Sequence, residues 1–268
     1  MITPDPECSG RVASFDDRFA GSASSYARFR PTYPSALYEF LGGAAPSRAL
    51  VWDAGTGSGQ AAVGLAEHFD QVVATDPSAA QLQRATPHPR ISYRCEPAES
   101  ASLPDGSADL ITAAAAIHWF DRDLFYSEAR RVLRPNGVIA LWAYHLPKVT
   151  PEVDAVIEDY SLRVLAADWP AGSELVLARY STLSFPFAQL AAPTFAIELV
   201  WSLEELAGFI GSWSAAIAFR ERCGVDPLKE VMPRLQDTFG TSEKRLVRCP
   251  LFMKVGRLPA RLNLAQAG

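Results

Sequence analysis

Segments with a strand-like apolar pattern alternate with segments of helical apolar periodicity through most of the chain. Strand-like apolar stretches are found in ALVWDA, QVVATD, ISYRCE, ADLITAAAA and GVIALWAY. Between them, apolar residues recur at helical spacing in GQAAVGLAEHF, PSAAQLQRA and DLFYSEARRVL. Strands that alternate with helices predict a mostly parallel sheet covered on both faces. Because crossovers in such a sheet are right-handed, the pattern predicts a doubly wound, Rossmann-like α/β fold.

The flanking segments complete a predicted sheet of seven strands. TFAIELVW and LVRCPLFMKVGR read as strands, with one helix over LEELAGFIGSWSAAIAF between them. The alternation stops over residues 145–193, which are acidic, aromatic and proline-rich, so we expect a substrate-side insertion there. Residues 15–43 form a predicted N-terminal cap, with a short helix that begins near Pro34 and ends at Gly42 and Gly43. We expect one domain over residues 1–257 and a tail over residues 258–268.

Composition excludes several classes of partner. The 268 residues are 49% hydrophobic and 21% charged, with a net charge of −5, and no block of Lys and Arg favours nucleic acid. The polar, acidic stretch at residues 1–17 is unlike a secretory signal, and no apolar run is long enough to cross a membrane. Its four cysteines are scattered without metal-ligand spacing, so no metal is expected. We expect a cytoplasmic protein, a monomer or weak dimer, that acts on a small molecule.

The stretch DAGTGSG, which follows the first strand, predicts a ligand site at a strand's carboxyl end. A nucleoside triphosphate would require a lysine after the glycines, and none is present. A dinucleotide is disfavoured because Gly59 comes one residue early and Gln60 takes its place. Asp53 suits a cationic ligand, and Asp76 at the end of the next strand suits ribose hydroxyls. A cation and a ribose without a phosphate describe S-adenosylmethionine.

DAGTGSG also resembles the acid-x-Gly-x-Gly-x-Gly motif of class I S-adenosylmethionine-dependent methyltransferases, in the methyltransferase type 11 group. VVATDPSAAQLQRA, EPAESASLPDGSADLI and RVLRPNGVIALW are similar to later motifs of that family. YARFRPTYPSALY, AIHWFD, LWAY and GSWSA resemble segments of trans-aconitate methyltransferases and their bacterial relatives. That resemblance implies methylation of a small molecule, most often at a carboxylate oxygen.

The resemblance also implies two sets of site residues. The expected cofactor set is Tyr26, Arg30, Asp53, Ala54, Gly55, Thr56, Gly57, Gly59, Asp76, Pro77, Gln81, Ala98, Glu99, Ala114 and Ala115. Arg30 is expected to pair with the cofactor carboxylate, with the acceptor carboxylate as its alternative partner. The expected acceptor set is Arg28, Tyr33, Trp119 and Tyr144. For Arg28, a solvent-facing position is an equally good interpretation.

His118 is the candidate catalytic residue, because it follows the fourth strand at the edge of the sheet where ligands bind. A structural role beside Trp119 and Phe120 is the alternative. An ionised carboxylate needs no base, whereas an amine or phenol acceptor could use a histidine. Trp169 and Trp213 could line the insertion or belong to the core, and the core is favoured for Trp201.

Three other functions remain open on the sequence alone. One is N- or O-methylation of a secondary metabolite. Another is a nicotinamide-dependent oxidoreductase, which uses the same architecture. The third is a regulatory protein that binds the cofactor without transferring its methyl group.

Overall fold

The computed structural model describes residues 32–258 of the chain. The strands in this part are β1 Leu50–Ala54, β2 Gln71–Thr75, β3 Ile91–Arg94, β4 Ala108–Ala114, β5 Leu133–Tyr144, β6 Ala188–Leu190, β7 Ala196–Trp201 and β8 Arg245–Arg257. The α-helices are α1 Ser35–Ala44, α2 Gln60–Ala66, α3 Ala79–Leu82, α4 Arg122–Val132, α5 Pro151–Asp159, α6 Ser173–Leu177, α7 Leu203–Gly211, α8 Ser214–Cys223 and α9 Leu228–Phe239. A 3₁₀ turn at Ile117–Trp119 and a π-helical turn at Tyr160–Val164 complete the set.

The strands pair in the order β3-β2-β1-β4-β5-β8-β6, with β7 also on β8. The strands β1 to β5 are mutually parallel, and β8 runs antiparallel to β5. The doubly wound α/β fold is therefore confirmed, but the sheet has eight strands in the described residues rather than seven. The extra strand is possible because β8 has 13 residues, which pair first with β7 and then with β5 and β6.

Three helical predictions differ from the structure. The helix α1 continues through Gly42 and Gly43, because Leu37 and Leu41 bury its inner face and offset the low helix propensity of glycine. The predicted single helix after β7 is two helices, since Trp213 adopts an extended conformation between them. The helix α9 is absent from the sequence-based prediction, although its buried residues have helical spacing (Leu228, Val231, Leu235 and Phe239).

Each strand of the parallel sheet sends alternate residues to opposite faces, as strand geometry requires. Trp52 belongs to the hydrophobic cluster that contains α4, and its neighbour Val51 belongs to the cluster that contains α1 and α2. A third cluster joins α5, within the insertion, to α7, α8 and α9. Within residues 32–258, no helix combines the length and apolar character needed to cross a membrane.

Asp109 anchors the amino-terminal edge of the sheet, opposite the edge that carries the glycine turn. Its side chain is fully buried, and its carboxylate accepts hydrogen bonds from the Ala49 and Leu50 amides, both at 3.0 Å. The hydroxyl of Ser47 donates to it at 2.7 Å, and Arg134 donates at 2.6 Å. One side chain therefore joins the start of β1 to β4 and β5.

We expect Asp109→Ala to lower the free energy of unfolding by about 3 kcal/mol, because buried donors and a cation lose their acceptor. Urea denaturation would measure this change. The matched control is Asp105→Ala, which removes an acid whose side chain is 81% exposed and paired with Arg131. An exposed ion pair contributes about 1 kcal/mol or less. Equal losses in the two variants would contradict the anchoring role.

Candidate active site

A crevice for a ligand lies where the strand order reverses between β1 and β4. From β1 the chain proceeds outward to β2 and β3, and β4 then returns to pair on the other side of β1. In open α/β sheets, ligands bind at the carboxyl ends of the strands beside this point. The glycine turn follows β1 directly, so it occupies this position.

The three glycines of the turn all have positive φ angles, of 66°, 57° and 84° at Gly55, Gly57 and Gly59. A Cβ atom on Gly55 would lie 2.7 Å from Ala116 Cβ, and one on Gly59 would lie 2.5 Å from the Tyr93 hydroxyl. A Cβ atom on Gly57 would meet no atom within 4 Å. Two glycines are therefore required by packing, and the third borders open space that a ligand could occupy.

Asp76 joins the turn to the end of β2. Its Oδ2 accepts a hydrogen bond from the Gly57 amide at 2.8 Å, and its Oδ1 accepts from the Ser78 amide at 2.9 Å. Ser78, rather than Asp76, caps the following helix, because its hydroxyl accepts from the Gln81 amide.

Asp53 is fully buried at the end of β1. Its carboxylate accepts hydrogen bonds at 2.6 Å from the hydroxyls of Thr56 in the turn and Thr112 on β4. Burial raises the pKa of Asp53 to about 6, although the two hydroxyls oppose that rise. The side chain is therefore still mainly ionised at pH 7, and it places a negative charge beneath the turn.

The other predicted cofactor residues that the structure describes follow the ends of β1, β2 and β4 or precede β4. Ala54 is fully buried in β1, and Ala114 and Ala115 are half-buried at the end of β4, where Ala115 has a φ of 51°. On the β2 side, Gln81 and Ala98 are buried and Pro77 is half-buried. The carboxylate of Glu99 accepts from the Asp121 amide at 2.8 Å, at the start of α4.

An open cleft adjoins the carboxyl ends of β4 and β5. We call it the acceptor cleft. The insertion and the helices α7 and α8 supply its other walls. It is lined by Ala115, His118, Trp119, Ala143, Tyr144, His145, Leu146, Trp169, Ser173, Val176, Leu177, Phe209, Trp213 and Ser214.

The acceptor cleft is aromatic and carries no acidic side chain and no Lys or Arg among these described lining residues. Trp213 lies 5.9 Å from Trp169 and 6.1 Å from Phe209, measured between ring centroids. The indole nitrogen of Trp169 donates to the Ser161 carbonyl at 2.9 Å, which fixes the orientation of that ring. Such a surface suits a largely apolar ligand held by a few polar groups.

The candidate catalytic residue, His118, lines this cleft together with two residues of the expected acceptor set, Trp119 and Tyr144. His118 lies in the 3₁₀ turn after β4, and its carbonyl abuts Gly172 of the insertion, where a Cβ atom would come within 2.2 Å. Tyr33 is not part of the lining, and its ring packs edge-on against Trp142 at 5.5 Å. Tyr26, Arg28 and Arg30 lie outside the described residues.

The sequence offers His145 only as a weaker site candidate than His118, at the end of the fifth strand. His145 follows β5 and lines the acceptor cleft. Burial, followed by the nearby charges of Arg179 and Lys148, lowers the pKa of His145 below the usual histidine range. The only signal in the sequence is its place after the fifth strand, at the ligand edge of the sheet.

Two of the three tryptophans considered in the sequence analysis are lining residues of the cleft, and the third is not. Trp169 and Trp213 line the cleft, whereas Trp201 packs on Phe209 at 5.3 Å and is not among the lining residues. Residues 32–258 contain no group of three or more His, Cys, Asp or Glu side chains placed to hold a metal ion.

Comparison with known proteins gives consistent matches. A family model described as a methyltransferase domain matches residues 52–141. A protein of Dictyostelium discoideum named as a methyltransferase is 34% identical over 247 residues, which cover 91% of this chain and 92% of that protein. A methyltransferase of Mycobacterium tuberculosis is 37% identical over 136 residues, about half of each chain.

A solved structure described as a type II methyltransferase from Anaeromyxobacter dehalogenans superposes with a TM-score of 0.80 at 47% identity. The match covers 86% of this chain and 99% of that one. Together with the glycine turn and the strand order, these similarities show that the chain belongs to the class I S-adenosylmethionine-dependent methyltransferases.

Proposed function

We propose that this enzyme binds S-adenosylmethionine along the glycine turn and methylates a carboxylate oxygen of a small molecule with a mainly apolar body. The observation that carries the proposal is that the acceptor cleft continues from the same strand ends that form the cofactor crevice. Ala115 lines the cleft, and the next residue, Ala116, packs against Gly55 of the turn. A donor and an acceptor bound at these two places would be neighbours.

The residues of the crevice fit this cofactor. The open space beside Gly57 allows close approach to the backbone, and Asp76 offers carboxylate oxygens to ribose hydroxyls. The negative charge of Asp53 beneath the turn favours a cation over a phosphate. When bound, S-adenosylmethionine supplies a methyl group on a positively charged sulfur, which is already activated for transfer. Pairing of the cofactor carboxylate with Arg30, with Tyr26 beside it, remains part of the proposal.

The acceptor cleft supports the carboxylate assignment in two ways. Its described lining has no acidic side chain that would repel an anion, and its histidines and serines can donate hydrogen bonds. A carboxylate is ionised at pH 7 and needs no base, so the lining residues have only to orient it and exclude water. The aromatic walls would hold the apolar body of the acceptor.

The choice of acceptor can be tested with matched compounds. We expect aromatic monocarboxylic acids to give methyl esters, identified by product mass, and the corresponding primary amides and alcohols to give no product. We expect trans-aconitate to react more slowly, because two further carboxylates would lie against apolar walls. Products only from amines or hydroxyl compounds would contradict carboxylate methylation. Cofactor binding without turnover of any acceptor would indicate the regulatory alternative.

Asp76→Ala should reduce affinity for S-adenosylhomocysteine at least about tenfold, because a charge-assisted hydrogen bond to ribose is lost. Isothermal titration calorimetry would measure the affinity, with NAD as a competing ligand. Asp70→Ala is the control, since Asp70 is an exposed acid just before the same strand. Unchanged affinity in a folded Asp76→Ala variant would refute the role of Asp76.

Gly57→Ala should abolish cofactor binding, whereas Gly106→Ala should leave it unchanged. The two glycines have similar φ angles, of 57° and 61°, and a Cβ atom on either would meet nothing within 4 Å. Each substitution should therefore cost about 1–2 kcal/mol of stability from the left-handed backbone alone. Thermal denaturation and calorimetry on both variants would separate backbone strain from ligand contact. Normal binding by Gly57→Ala would exclude close approach of the cofactor at that residue.

A further inference from the structure

His145 is held rigidly at the border of the acceptor cleft. It directly follows β5, and its amide donates to the Pro250 carbonyl of β8 at 2.9 Å. Its half-buried side chain lines the cleft beside Tyr144 and Leu146. The backbone on which the imidazole is mounted is thus part of the sheet, which makes its position precise enough for ligand recognition.

The two ring nitrogens of His145 lie in different surroundings. Nδ1 is buried and has no hydrogen-bond partner among the described residues. Nε2, in contrast, is not both buried and without a partner. A proton on Nδ1 would therefore create a buried N–H donor without an acceptor, which proteins rarely tolerate. A bare nitrogen at that position is the less costly choice. These surroundings favour one neutral tautomer, with its single proton on the accessible Nε2.

Nearby charges act in the same direction. Arg179 and Lys148 disfavour a second proton on the ring, and Glu158 favours one. The effect of Glu158 is reduced because it bonds Lys148 at 2.8 Å, and Asp154 also lies 3.5 Å from that lysine. On the cleft side, His118 and Tyr144 are the titratable neighbours. With burial as the largest cause, the pKa of His145 lies below its usual value, which favours the neutral ring over the charged one.

We propose that His145 determines acceptor specificity as a hydrogen-bond donor, whose Nε2–H binds the acceptor carboxylate. This inference rests on the proposed function. The imidazole then orients the acceptor and does not act as a base. Methylation of a carboxylate releases no proton, so such a donor matches the chemistry, whereas a hydroxyl or ammonium acceptor would have to lose one.

The state of the ring can be measured without any acceptor. We would record ¹⁵N-¹H spectra of the histidine-labelled protein with S-adenosylhomocysteine bound, and assign His145 by its loss in His145→Gln. We expect the Nε2–H tautomer, with a titration midpoint below the ordinary histidine value of about 6.5. A proton on Nδ1, or a titration midpoint of about 6.5 or higher, would overturn the inference.

Kinetics would test the contact itself, with whichever monocarboxylic acid gives a methyl ester. His145→Phe should raise the acceptor KM about tenfold or more, because a hydrogen bond to a charged group is lost. His145→Gln keeps an N–H donor and should recover most of that loss. Cofactor affinity should be unchanged in both variants. His88→Phe is the control, since His88 lies near Glu67 and is not among the cleft residues.

The outcomes separate this inference from the proposed function. An unchanged acceptor KM in His145→Phe, with ester still formed, would overturn the role of His145 alone. A kcat/KM that rises about tenfold per pH unit below pH 7, and that loses this dependence in His145→Gln, would also overturn the donor role of His145. Such a pH profile identifies a base. A wild-type enzyme that forms no methyl ester would overturn the proposed function, while the spectra would still decide the form of the ring.

Discussion

The buried carboxylate of Asp53 holds together the pieces of chain on which the cofactor crevice depends. It lies at the end of β1 and accepts short hydrogen bonds from Thr56 in the glycine turn and Thr112 on β4. A buried acid without such partners would be strongly destabilising, so the two hydroxyls are what make the arrangement tolerable. The result is a turn with a fixed conformation and a negative charge beneath it.

The glycine turn also positions the carboxylate of Asp76. The amide of Gly57 donates to the Asp76 carboxylate, so the ends of β1 and β2 are joined across the crevice. The neighbouring glycines permit close packing against Ala116 and Tyr93, with no room for a side chain. The crevice is therefore shaped largely by backbone and by two buried acids, Asp53 and Asp76.

The acceptor cleft is built on a different principle. Its walls come from the ends of β4 and β5, from the insertion and from α7 and α8, and they are mainly aromatic. Apolar walls exclude water and tolerate many side-chain combinations, so this part of the fold can change its substrate without disturbing the sheet. Under the proposed function, the polar groups that remain, chiefly the histidines and serines, would carry a large share of the selectivity.

The parallel core was predictable because its signals are local. Each strand is a short apolar run, each crossover helix has its own periodicity, and the glycines and Asp76 occupy recognisable positions at strand ends. The eighth strand was not predictable from such signals, since β6 has three residues and pairs only because β8 extends past β5 to reach it. Similarly, α1 passes through two glycines because burial of Leu37 and Leu41 outweighs local propensity.

The sequence alone determined the fold class, the location of the glycine turn and the family, because these depend on residues close together in the chain. Only the tertiary structure decided which residues form the acceptor cleft. Trp169 and Trp213 line it and Trp201 does not, although nothing in their local sequence distinguishes them. The different surroundings of the two His145 nitrogens likewise arise from contacts between segments distant in sequence. Burial and charge at one atom are sums over such contacts, so they exist only once the chain has folded.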